Sequence, residues 1–181
     1  MSEWHKYLTR CLLPLNPIPS GGHNWAGIAA IITSSKEALL VKRAVRPGDP
    51  WSGDWAMPGG RWRDGDTNLY ECIRREVLEE TSIDISMLEA LGWLPERSPR
   101  VRPELKIMPL VLLTNSRLSV ILNDELTDYC WASLQKLVYE KRVVNTPRGE
   151  ILTDVYLLSG GEFVWGLTAR IIQEITNCIQ L

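Results

Sequence analysis

Short apolar runs separated by Gly and Pro punctuation set the pattern of this chain. Trp4, Tyr7, Leu8, Cys11 and Leu12 recur at helical spacing and predict a helix over residues 3–13. Three prolines and two glycines between Pro14 and Gly22 make a connector. The apolar run from Trp25 to Thr33 reads as a strand, paired with a second strand over Ala38–Arg43 through a turn at Ser34-Ser35-Lys36. A short strand at Trp55–Pro58 is broken by Gly59-Gly60, and a helix follows from about Thr67 to Thr81. Strands are expected near Leu88–Leu94, Lys106–Thr114 and Asp128–Trp131, with a short helix near Ser133–Val138. Residues 142–157 hold one or two strands, and Leu167–Ile179 forms the last helix. That order predicts an α+β fold with helices packed on a mixed sheet. A length of 181 residues suits one domain, divided into an N-terminal helix and connector over 1–23 and a single domain over 24–181.

Composition narrows the class. A hydrophobic share of 45% with 23% charged residues fits a soluble globular chain. The net charge of −2 argues against a surface that coats nucleic acid. No apolar run approaches the roughly 20 residues of a membrane span. The opening Met1-Ser2-Glu3-Trp4-His5-Lys6 lacks the apolar core of a secretory signal, so a cytoplasmic protein is expected. Cys11, Cys72, Cys130 and Cys178 are far apart and read as scattered buried thiols. His5 and His23 both precede the motif region, which leaves the chemistry to carboxylates, Arg and Lys.

The informative stretch runs from Gly59 to Ile83. At about 100° per residue, Leu69, Ile73, Val77 and Tyr70 share one helix face. Glu80 falls inside that apolar stripe, Glu76 at its edge, and Glu79 about 60° beyond. Like charges one turn apart destabilise a helix, and carboxylates near its C-terminus oppose the dipole. Burying one unpaired costs much more. A divalent cation relieves all three penalties, and hard oxygen ligands suit Mg²⁺ or Mn²⁺. The ordinary alternative is a solvated face on which Arg74 and Arg75 pair the glutamates. Glu80 inside the stripe and the Gly-Gly turn upstream favour the metal.

This stretch resembles the Nudix box, G-x5-E-x7-R-E-U-x-E-E-x-G-U, where U is a bulky aliphatic residue. Gly60 matches the first glycine, Arg75-Glu76-Val77-Leu78-Glu79-Glu80 the central block, and Ile83 the closing aliphatic. Asp66 replaces the first Glu, one extra residue separates it from Arg75, and Ser82 replaces the late glycine. The Asp and the spacing resemble the coenzyme A pyrophosphatase branch, as does Val164-Trp165-Gly166-Leu167-Thr168-Ala169-Arg170-Ile171. The resemblance implies the Nudix fold, a mixed sheet sandwiched between helices (α/β/α). It implies a metal-dependent pyrophosphohydrolase acting on a nucleoside diphosphate linked to another moiety, with coenzyme A or acyl-CoA as a candidate. ADP-ribose, a nucleoside triphosphate, or a non-catalytic nucleotide-binding module are the alternatives. Glu76, Glu79, Glu80 and the Gly59 carbonyl would bind metal. Arg75 would orient the carboxylates, and Asp66 would support Arg75 or a metal-bound water. Gly60 and the helix N-terminus would lie against the diphosphate. The implied partner is a small-molecule nucleotide, without nucleic acid or membrane; a homodimer is left open.

Other positions carry two readings. Arg43 ends its strand either for solubility or to contact phosphate. Trp51, Trp55, Trp62 and Tyr70 either stack a base or fill the core, and Trp55 is taken as the substrate contact. The basic loop from Arg97 to Lys106 is either solvated or meets an additional phosphate, such as the 3′-phosphate of coenzyme A. The acidic turn Asn123-Asp124-Glu125-Leu126-Thr127-Asp128 offers a general base, with Glu125 preferred over Asp124 and Asp128 and Glu79 as the alternative within the box.

Overall fold

A computed structural model describes residues 4–100, 102–146 and 149–179. Glu3, at the start of the expected first helix, lies outside them, as do Met1 and Ser2 of the segment read for a secretory signal.

The elements are α1 (Trp4–Cys11), β1 (Trp25–Thr33), β2 (Glu37–Arg43), β3 (Trp55–Ala56), β4 (Gly59–Arg61) and α2 (Leu69–Thr81), then β5 (Glu89–Trp93), β6 (Lys106–Thr114) and β7 (Leu126–Ser133). A hairpin of β8 (Val138–Thr146) and β9 (Gly149–Leu157) follows, then β10 (Phe163–Trp165) and α3 (Gly166–Ile179). The main sheet runs β3-β2-β1-β6-β5, with β4 paired to β1 and β7 to β2. β1 and β6 are parallel while the other pairs are antiparallel, so the sheet is mixed, as expected. β1 is central, and its residues from Ala29 to Thr33 are buried because both faces are covered. On one face, Leu69, Ile73 and Val77 of α2 pack with Ala29, Ile31 and Leu110. On the other, Leu8 of α1 and Ile171, Ile172 and Ile175 of α3 pack with Ala30, Ile32 and Val111. This is the expected α/β/α sandwich.

The connector is stitched to the sheet rather than loose. Leu13 and Trp93 exchange backbone hydrogen bonds of 2.8 and 3.0 Å, and the Leu69 N–H donates to the Pro19 carbonyl at 3.0 Å. Among the described residues no helix is long and apolar enough to cross a membrane.

Four local expectations are corrected. Gly59-Gly60 does not break a strand: it opens β4, with Gly59 opposite Ile28 and Gly60 opposite Gly27. Where a helix is expected over Ser133–Val138, β7 ends at Ser133, residues 134–136 turn and β8 begins at Val138; Leu134 is buried and its N–H is tied to the Lys36 carbonyl at 2.9 Å. The strands expected over 142–157 are two, β8 and β9, and they begin at Val138, pairing with each other and joining β10 in a separate three-stranded sheet; residues 147 and 148 of that span lie outside the described ones. Cys11 and Cys178 form a disulfide between α1 and α3 rather than two separate thiols, while Cys72 and Cys130 are free.

Candidate active site

β4 and the segment from Trp62 to Asn68 deliver α2 to the cavity with both helix ends capped. The Asn68 side chain accepts the Glu71 N–H at 3.0 Å, which starts the helix two residues later than the pattern suggests. At the other end Ser82 adopts the left-handed conformation (φ 60°, ψ 18°) and its N–H donates to the Leu78 carbonyl at 3.0 Å. Serine thus serves where the box has glycine.

The helical wheel places the carboxylates correctly. Glu80 is 3% exposed and Glu76 7%, while Glu79 is on the open side. Glu80 accepts the Gly59 N–H at 2.8 Å and has no cation within ion-pair distance among the described residues. Burial, with repulsion from Glu76 and Glu125, pushes its carboxyl up to about 7 despite that hydrogen bond. Gly60 is required for contact, since a Cβ there would run into the Glu76 carboxylate. Gly59 has φ +140°, and its Cβ would strike the Gly27 carbonyl.

Guanidinium groups organise the rest. Asp66 grips Arg75 through both oxygens, at 2.9 and 2.7 Å, and also accepts the Arg63 N–H at 2.9 Å. The Arg75 hydrogen bonds hold the Asp66 carboxyl below its ordinary range. Asp66 is therefore committed to positioning Arg75. Arg75 in turn bonds Glu76 and lies 3.7 Å from Glu79. Arg63, which the sequence reading did not single out, contacts Glu79 at 3.1 Å and Glu76 at 3.4 Å. Its place between Gly60 and Asp66 was the only available signal.

The donor chemistry fits a divalent cation. Glu80 is a desolvated carboxylate with no ion-paired cation among the described residues, and two guanidinium groups neutralise Glu76 and Glu79. Among the described residues, no three metal-ligating side chains are gathered tightly enough to enclose an ion in this arrangement.

Glu76 and Glu80 open into a cavity of about 810 Å³, also lined by Arg43, Trp55, Gly59 and Gly60. Arg43 is held by Asp49, at 3.1 and 2.9 Å. Trp55 is buried, with Nε1 donating to Glu162 at 3.0 Å and Lys42 over its ring, so it is a wall rather than an open stacking face. Trp51 also lines the cavity, whereas Trp62 and Tyr70 pack against the core under α2. Of the acidic-turn candidates, Glu125 lines the cavity and its charge is felt at Glu80. The Asp124 side chain is 94% exposed and Asp128 faces Lys42 across β2 and β7; neither lines the cavity. Glu79, Arg75 and Asp66 do not line it. The hairpin supplies Tyr139, Thr153 and Asp154, and α3 supplies Gln173; none of these was anticipated.

Comparison with known proteins agrees with this architecture. A family model described as NUDIX domain matches residues 23–155. An uncharacterized Nudix hydrolase NudL of Yersinia enterocolitica is 25% identical over 178 residues, covering 90% of this chain and 84% of that protein. An uncharacterized protein of Schizosaccharomyces pombe, C14C4.10c, is 41% identical over 68 residues; these are 36% of this chain and only 21% of that protein. A MutT/nudix family protein from Enterococcus faecalis superposes with a TM-score of 0.55 at 19% identity, over 98% of this chain and 68% of that one. An Ap4A hydrolase of C. elegans gives 0.51 at 19% identity, over 61% of this chain and 80% of that one. These two likenesses concern the fold. The chain belongs to the NUDIX family and is a Nudix-type hydrolase of phosphorus anhydrides.

Proposed function

We propose that this chain hydrolyses the diphosphate bond of a nucleoside diphosphate joined to a second moiety, with coenzyme A or an acyl-CoA as substrate and Mg²⁺ or Mn²⁺ as cofactor. The observation that carries the reading is Glu80, a buried carboxylate beside Glu76 that opens into the cavity under Gly59-Gly60. Glu76, Glu79 and Glu80 would hold the metal, with the Gly59 carbonyl as a further donor. When bound, the metal would supply Lewis acidity toward the phosphate oxygens and a lowered pKa for water. Arg75, clamped by Asp66, keeps Glu76 aligned. Arg43, which lines the cavity, would contact a phosphate oxygen, and Gly60 would keep the loop free of side chain beside the diphosphate. Glu125 accepts the proton of the attacking water, and Glu79 is the alternative base. Support for coenzyme A comes from the spacing of Asp66 and the Trp165–Ala169 segment.

The test is a panel of nucleotide diphosphates with Mg²⁺, Mn²⁺ or excess chelator. Phosphate-terminated products from coenzyme A, abolished by chelator, are expected. Hydrolysis of ADP-ribose with coenzyme A untouched overturns the substrate, and full activity in chelator overturns the metal. The pH–rate profile of Glu125→Gln decides the base. Loss of the acidic limb with most of kcat is expected, and an unchanged profile returns the role to the box.

A further inference from the structure

Among the described residues, Arg100, Arg102 and Arg170 line the same cavity without a carboxylate partner, as does Arg61 of β4. Arg100 and Arg102 come from the loop between β5 and β6, and Arg170 from α3. Among the described residues, neighbouring cations are taken: Arg97 by Glu174 at 2.9 Å and Lys106 by Glu96 at 3.5 Å. Arg100, Arg102 and Arg170 make no such pair among the described residues. Two of them are nevertheless held in place. Arg170 donates to the Ser98 carbonyl at 3.0 Å, and Arg102 lies 5.7 Å from the centroid of the Trp51 ring. Partial burial, then repulsion from Arg100 and Arg97, lowers the Arg170 guanidinium below its usual value. Leu105, Ile107 and Leu167 make the adjoining wall apolar, which strengthens charge interactions there. Uncompensated like charges facing one cavity are unfavourable, and an anion relieves them. Guanidinium groups match phosphate oxygens in geometry as well as in charge.

We propose that Arg100, Arg102 and Arg170 form a subsite for a phosphomonoester on the nucleotide part of the substrate, separate from the diphosphate that is cleaved. The proposal takes a nucleotide substrate from the reading above, yet its test needs no turnover. Binding of adenosine 3′,5′-bisphosphate, adenosine 2′,5′-bisphosphate, AMP and inorganic phosphate to the whole chain is measured by calorimetry. One bisphosphate is expected to bind at least about tenfold more tightly than AMP, and which one identifies the position of the monoester. In Arg100→Gln/Arg170→Gln that advantage falls to within about twofold, with AMP affinity and the circular dichroism spectrum unchanged. Arg100→Glu alone, at an exposed position, gives the same loss without disturbing the Ser98 contact. Equal affinities in the native chain overturn the subsite, as does an advantage that survives both variants or an equal weakening of AMP. Selective bisphosphate binding without diphosphate hydrolysis supports the subsite and sinks the function proposed above. Hydrolysis without selectivity does the reverse.

Discussion

The cavity has two walls built on different principles. On the α2 wall nearly every polar group is committed: Asp66 to Arg75, Arg75 to Glu76, Arg63 to Glu79 and the Gly59 N–H to Glu80. Backbone contact closes the gaps, and neither Gly59 nor Gly60 has room for a Cβ. The opposite wall, from the β8–β9 hairpin, the basic loop and α3, is looser. Its side chains make isolated contacts, such as Tyr139 to Asp154 at 2.7 Å, and Arg100, Arg102 and Arg170 lack acid partners among the described residues. The first arrangement suits a reaction that demands fixed geometry. The second suits recognition, where a ligand completes the bonding. Substitutions should therefore act on turnover at one wall and on affinity at the other.

The largest expected effect is that of Glu80→Gln. It removes the most buried carboxylate of the metal set while keeping its shape, and kcat should fall about 10²–10³-fold, the several kcal/mol a metal contributes to the transition state. Steady-state kinetics at saturating Mg²⁺ decides it, and near-native kcat removes Glu80 from the ligand set. Next is Gly59→Ala. The backbone at φ +140° is costly for alanine by about 1–3 kcal/mol, and collision with Gly27 and Ile28 adds about 1–3 kcal/mol. Urea denaturation should show the loss, together with reduced turnover because the Gly59 N–H holds Glu80. A variant of native stability would mean that the two walls are equally adaptable.

The contrast between walls also explains what the sequence could reveal. A metal-binding helix must put carboxylates at helical spacing against an apolar stripe, so Glu76, Glu79 and Glu80 stand out as a conflict with ordinary packing. The sandwich was legible for a related reason: β1 and β6 are apolar along most of their length because both faces are covered. The hairpin gave no comparable signal. β8 and β9 alternate between exposed and half-buried positions, but the inward side carries Glu140, Arg142, Thr146 and Thr153 among its apolar residues, so hydrophobicity does not mark the face. Gly59-Gly60 was misread because glycine breaks strands locally, whereas pairing with β1 and the needs of Glu80 and Glu76 override that tendency. The Cys11–Cys178 link spans 167 residues and depends on α1 meeting α3, which no local pattern encodes.

A pH test probes an intermediate case, Asp54, which lines the cavity and receives the Trp165 Nε1–H at 2.9 Å. Burial raises its carboxyl above the ordinary value, the Trp165 bond opposing. A carboxyl with a raised folded value costs nothing below its unfolded value of about 4, and its full cost is present above the folded value. Stability from this group therefore declines as pH rises through that window. Asp54→Asn keeps an acceptor for Trp165 and removes the titration. Its melting temperature relative to native protein should be higher at neutral pH than at pH near 4, and a difference independent of pH would show that Asp54 ionises freely.

The smallest expected effect falls on the open wall and sharpens the comparison most directly. Tyr139→Phe deletes the hydroxyl that bonds Asp154 while leaving the ring beside the cavity. Both partners are exposed, so water replaces the lost bond and little is left unsatisfied. Tyr139 touches none of the carboxylates on α2, and no chain of hydrogen bonds connects it to Arg75 among the described residues. Turnover should stay within about twofold of native, with any change confined to KM. The same conservative removal of one oxygen-bearing group that cripples the enzyme at Glu80 should pass almost unnoticed here. A fall in kcat comparable to that of Glu80→Gln, at unchanged KM, would place Tyr139 in contact with the reacting phosphate. The hairpin would then belong to the catalytic wall, and the division of labour between the two sides of the cavity would fail.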